Sequence, residues 1–183
     1  MLGYIVIKQS ETKMRLLFEI DLKDYKKNGS IFSRPSSRAI YIKDGLIGLI
    51  YSRKYQYYKF PGGGIEANES NIQALIREVK EETGLAIKEE SIKEYGYVHR
   101  VQKGIDEDIF IQDNFYYFVD CEDKGHRQTL DLHEIEEDFI FVFVKPMDAI
   151  RKNKENLHNY KNPTLITREV KVLELLINEK YLK

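Results

Sequence analysis

The stretch FPGGGIEANESNIQALIREVKEETGL, residues 60–85, decides how this chain is read. Ile72, Leu75, Ile76 and Val79 recur at i, i+3, i+4 and i+7, the apolar stripe of a helix over residues 70–82. Ser70 is placed to cap the first turn, and Gly84 suits the left-handed residue that ends it. Gly62, Gly63 and Gly64 come just before, where a backbone without Cβ atoms lets a ligand approach closely. No Gly-Lys-Ser/Thr follows them, so the run is not a P-loop.

Glu78, Glu81 and Glu82 stand at i, i+3 and i+4, which puts three carboxylates on one side of that helix, offset from the apolar stripe. Like charges at this spacing cost about 0.2–0.5 kcal/mol per pair. Glu81 and Glu82 also sit at the negative end of the helix dipole, where an anion costs about 0.3–1 kcal/mol. Local physics opposes the arrangement, and such violations concentrate at functional sites. A hard divalent cation, which seeks oxygen ligands, removes the conflict. A lone Glu-Glu pair would ordinarily be a solvated face; three acids at the wrong helix end, after a triple glycine, call for more.

Outward from the helix, residues 38–43 and 46–51 read as strands around an Asp44-Gly45 hairpin turn. Residues 57–60, 92–102, 108–119 and 139–144 are further strand candidates, with a polar loop over 121–133. Residues 147–153 and 164–179 read as helices. Strands mixed with helices indicate an α/β (α+β) layered fold. Residues 3–8 and 14–20 read as a hairpin joined to a loop over 21–37. The expected division is therefore an N-terminal β-hairpin extension and linker, 1–34, and a main domain, 35–183.

Composition narrows the function classes. A formal net charge of −1 creates no general basic field, so nucleic acid and anionic membranes are not expected partners. An acidic substrate then needs local positive charge. The single cysteine, Cys121, excludes a disulfide within the chain, and the four histidines show no HExxH spacing. The apolar run Tyr4-Ile5-Val6-Ile7 is too short for a signal-peptide core, and no stretch is long enough to cross a bilayer. The expected location is cytoplasmic.

Taken together, Gly63, Glu69, Arg77, Glu78, Val79, Glu81, Glu82, Gly84 and Leu85 match the pattern Gly, five residues, Glu, seven residues, Arg-Glu-aliphatic, any residue, Glu-Glu, any residue, Gly-aliphatic. This resembles the signature of the Nudix hydrolase superfamily at every fixed position. One departure from the common form is Asn68, where many members have Gly; Asn tolerates the left-handed region. The signature covers 63–85, the wider resemblance runs over about 36–180, and residues 1–34 lie outside it.

The resemblance implies an α/β/α sandwich with a mixed β-sheet. It also implies hydrolysis of a diphosphate linkage in a nucleoside diphosphate derivative with Mg²⁺ or Mn²⁺. By position, Glu78, Glu81 and Glu82, with the Gly63 carbonyl, would ligate metal, one of the glutamates activating water. Arg77 would orient a glutamate and Glu69 would support the group. Many members use one more acid far along the chain, and here Glu137 is favoured, with Glu134 and Glu136 close behind.

Arg53, after the second strand of the main domain, is placed to reach a phosphate, although an exposed cation at a strand end is the commoner role. Tyr58, with Tyr57, is a candidate to stack on a base, against the ordinary packing role of strand tyrosines. The partner expected is a small-molecule nucleotide substrate. Residues 100–103, Arg-Val-Gln-Lys, lack the proline and tyrosine marks of the ADP-ribose and diadenosine polyphosphate enzymes; a nucleoside triphosphate or nucleotide-sugar stays open. Two alternatives share the fold. A non-catalytic nucleotide-binding or regulatory module would be favoured by lost glutamates, and none is lost. An isoprenoid diphosphate isomerase would need an activated cysteine, and Cys121 has no such context. The N-terminal hairpin is expected first to extend the sheet, with covering the pocket or pairing with a second subunit in a homodimer as the alternatives.

Overall fold

The computed structural model describes residues 14–122, 125–158 and 163–183. Its strands are β1 (Leu16–Asp21), β2 (Ile31–Ser33), β3 (Ser36–Lys43), β4 (Leu46–Ser52), β5 (Tyr57–Lys59), β6 (Lys93–Gln102), β7 (Ile109–Phe118) and β8 (Phe139–Val144). Its helices are α1 (Asn71–Thr83), α2 (Leu132–Glu136), α3 (Pro146–Glu155) and α4 (Pro163–Asn178).

The strands form one mixed sheet in the order β1-β6-β7-β3-β4-β5, with β2 also on β7 and β8 also on β4. β3 runs parallel to β7, whereas β6 with β7 and β3 with β4 are antiparallel. The β3–β4 turn is the expected one, with Asp44 and Gly45 at φ 53 and 76 and Lys43 opposite Leu46.

Alternation along β3 explains the layers. Ile40 points to one face, into a core with Val98 and Tyr116 from the sheet and Val172, Leu173 and Leu176 from α4. Ala39 and Tyr41 point to the other, where they meet Tyr117 and the α1 stripe, Leu75 and Val79. Each such aliphatic side chain withdrawn from water contributes about 1.5–3 kcal/mol. The result is the expected α/β/α sandwich, with α1 on one face and α3 and α4 on the other.

The α1 ends are built as the sequence suggests. The Ser70 hydroxyl accepts from the Gln73 N–H and the Gln73 side chain accepts from the Ser70 N–H, a reciprocal cap. Gly84 closes the helix at φ 73, its N–H donating to the Lys80 carbonyl at 2.9 Å.

Some elements differ from the expectation. The strand expected at 3–8 lies outside the described residues. β1 pairs in parallel with β6, and the loop expected over 21–37 contains β2, which pairs with β7. The loop expected over 121–133 runs into the short helix α2, capped by Asp131. Among the described residues no helix is long and apolar enough to cross a membrane.

Candidate active site

The Pro61–Gly64 turn lays its backbone across the edge of β3 and against the C-terminal half of α1. The Gly63 carbonyl accepts from the Ser37 N–H at 3.0 Å, which turns it toward β3. A Cβ on Gly63 would overlap the Glu78 carboxylate, and one on Gly62 (φ 129) would overlap the Ser37 carbonyl. The glycines are therefore required by contact with an acid on one side and with the sheet backbone on the other.

Glu78, Glu82 and Glu134 each offer a carboxylate oxygen within 4.8 Å of the others. Glu82 is almost wholly buried, at 1% exposure. The sequence places it on a face that need not be buried; the structure compensates it instead. Lys59 Nζ lies 2.5 Å from one oxygen and the Gly62 N–H donates to the other at 2.7 Å. Burial and then the neighbouring Glu82 push the Glu78 carboxyl upward, against the pull of Arg77. Burial and then Glu82 push Glu134 up to about 7. Three part-buried or buried carboxylates thus converge, and their all-oxygen donors fit a hard divalent cation.

Arg77 organises the acids around the trio. It grips Glu69 through Nε and Nη2 at 2.8 and 2.9 Å, donates to Glu78 at 2.8 Å and Glu81 at 3.1 Å, and reaches the Gly64 carbonyl. Its five N–H donors all find acceptors, which locks the guanidinium plane. The same contact holds the Glu69 carboxyl below its usual range. Glu81 keeps 41% of its side chain exposed. It opens on a hollow of about 490 Å³ that shares Glu78 and Glu134 with a larger cavity of about 540 Å³.

The structure separates the remaining candidates from this group. Glu137 is buried, accepting from the Tyr57 hydroxyl at 2.8 Å and lying 3.1 Å from His133 Nε2. Glu136 is exposed. Arg53 forms an exposed two-point pair with Asp138, both contacts at 2.7 Å. Tyr58 is tied through its backbone to Asn153 of α3 and packs on Tyr51, with ring centroids 4.6 Å apart.

Other functional candidates emerge only from the three-dimensional arrangement. Lys59 reaches Glu82 from β5. Arg38, Arg100 and Arg168 come from β3, β6 and α4 and line the larger cavity, all of them buried. Their signal in the sequence is a charge at an inward register: Arg100 shares its strand face with buried Val98. Arg168 is neutralised by Glu169 at 2.5 Å and also donates to Asn114. Arg38 donates to the Gly62 carbonyl, and Arg100 donates to Thr164 at 3.3 Å above the Phe110 ring.

The family model described as NUDIX domain matches residues 34–165, more than half of the chain. The chain belongs to the NUDIX family. NUDIX hydrolases act on nucleoside diphosphate derivatives and generally use divalent metals. The fold agrees. A mutator MutT protein from Bacillus halodurans superposes with a TM-score of 0.52 at 18% identity, over 65% of this chain and 72% of that one. A NUDIX hydrolase from Nitrosomonas europaea superposes with a TM-score of 0.50 at 18% identity, over 80% of this chain and 90% of that one. No curated protein matches the chain.

Proposed function

We propose that this NUDIX protein hydrolyses a diphosphate linkage in a nucleoside diphosphate derivative, with Glu78, Glu82 and Glu134 holding Mg²⁺ or Mn²⁺. The observation that supports this reading is the convergence of those three carboxylates, with Glu78 and Glu134 pushed toward the neutral form by burial and by Glu82. A bound cation supplies positive charge against the phosphate oxygens and makes water more acidic.

The chain's own groups do the rest. Gly62 and Gly63 let the turn pack against Ser37 and the Glu78 carboxylate, and Arg77 fixes the rotamers of Glu69, Glu78 and Glu81. Only Glu81 Oε2 is engaged by Arg77, and Oε1 has no protein partner among the described residues. Glu81 is placed to accept the proton as water attacks phosphorus and the bridging P–O bond breaks. The leaving group departs as a phosphate anion.

Turnover of a panel of nucleoside diphosphate derivatives with Mg²⁺ or Mn²⁺ tests the proposal. At least one compound is expected to be cleaved, and Glu81→Gln is expected to lower its kcat by roughly 100-fold or more. Unchanged activity in that variant would remove Glu81 from the mechanism; no turnover of any compound would remove the hydrolase reading.

A further inference from the structure

The lining of the larger cavity includes buried positive charge that no ion pair among the described residues offsets. Arg38 is 7% exposed and Arg100 is 4% exposed. Neither makes an ion pair with a carboxylate among the described residues, and the Nε of each is buried without a hydrogen-bond partner. Arg168 beside them already has Glu169. Burial, then the Arg168 and Arg38 charges, push Arg100 down to about 9, which reports the same imbalance. Lys103, Asp106 and Glu107 also line the cavity. A buried cation left without a partner is unfavourable. The expense is reasonable where a ligand supplies the missing anion, and guanidinium groups suit phosphate and carboxylate oxygens.

We propose that the substrate carries an anionic group, a phosphate or a carboxylate, besides the diphosphate at the acidic trio, and that Arg38 and Arg100 bind it. This rests on the hydrolase reading for its geometry: Gly62–Gly64, the trio and the two arginines line one cavity. The Arg100 guanidinium carbon lies 5.0 Å from the Phe110 ring centroid, a contact that restrains the side chain.

Two matched pairs of substrates test it, each differing by one anionic group. UDP-glucuronate against UDP-glucose tests a carboxylate, and ADP-ribose 2′-phosphate against ADP-ribose tests a phosphate. The charged member of at least one pair is expected to be favoured about tenfold or more in kcat/KM, mainly through KM. Arg100→Met is expected to bring that preference to within about twofold, and Arg100→Lys to retain part of it. Circular dichroism establishes that both variants fold. Should neither do so, the wild-type comparison decides alone, and equal kcat/KM within both pairs overturns the proposal. A preference that survives Arg100→Met in folded protein also overturns it. Calorimetric binding of the same pairs in EDTA separates the two readings. A charged member bound more tightly but never cleaved would end the hydrolase assignment and leave the anion site standing. Cleavage without any preference would do the reverse.

Discussion

Lys59 and Glu82 form a buried ion pair at 2.5 Å that joins the last short strand before the glycine turn to the last turn of α1. Lys59 is 11% exposed and Glu82 1%, so water can replace neither partner. Removing one member of such a pair leaves a bare buried charge and costs about 3–5 kcal/mol. Lys59→Met is therefore expected to destabilise the metal-free protein by about 3 kcal/mol, which for a chain of this size lowers Tm by roughly 6–12 °C. Added Mn²⁺ is expected to restore part of the loss, because a cation beside Glu82 substitutes for the ammonium. Calorimetric melting in EDTA and in Mn²⁺ measures both; equal Tm values for variant and wild type in EDTA would rule out the pair as a structural element.

Gly62 and Gly63 are adjacent, yet substitution is expected to act on different properties. A Cβ on Gly63 meets the far end of the Glu78 side chain, which can swing away. Gly63→Ala is expected to change stability by less than about 1 kcal/mol while displacing a trio carboxylate and lowering kcat about 100-fold. A Cβ on Gly62 meets the Ser37 carbonyl at φ 129, and backbone cannot swing. Gly62→Ala is expected to destabilise by about 2 kcal/mol or more. Denaturant melts and turnover on the same preparations separate the two effects.

Arg77 contacts three carboxylates and a carbonyl at once, and its value lies in the planar fork. A lysine retains the charge but can hold only part of this set. Arg77→Lys is expected to lower metal affinity or kcat by about 10–100-fold, nearly as much as Arg77→Ala. Manganese titration calorimetry with steady-state kinetics checks this. Full activity in the lysine variant would mean that charge alone suffices.

How much of this was legible before the structure differs by element. The α1 stripe, its Ser70 cap and Gly84 stop follow local periodicity and dihedral preference, which a sequence displays directly. The order of layers follows from alternation along β3. The partners of the acids were hidden because they depend on register. Lys59 meets Glu82 only because β5 ends beside α1, and Arg53 meets Asp138 only because β4 and β8 pair from Ser52–Phe139 onward. The acidic run 134–138 was visible as a run, but the short helix α2 decides its directions. It presents Glu134 to Glu78 and Glu82 and turns Glu137 toward Tyr57 and His133. The three cavity arginines come from three separate elements, so no sequence window contains them.

Glu134 also makes stability depend on pH. Its carboxyl rises from an ordinary 4.5 to about 7 in the fold, driven by burial and by Glu82. The native state then holds a proton that the unfolded chain has released, and stability falls as pH climbs between those two values. The favourable contribution is complete below about 4.5 and gone above about 7. Glu78, shifted in the same direction, adds to the slope. In EDTA, denaturant melts across this window are expected to show declining stability, and Glu134→Gln is expected to flatten part of the decline. A saturating divalent cation favours the ionised carboxylates and reverses the trend, so metal affinity is expected to rise with pH over the same interval. Glu137→Gln provides the contrast. It disturbs a buried contact with Tyr57 and should weaken the fold at every pH while leaving manganese uptake within about threefold of wild type. If Glu137→Gln abolished uptake and Glu134→Gln did not, the cation would have to sit on the other side of α2.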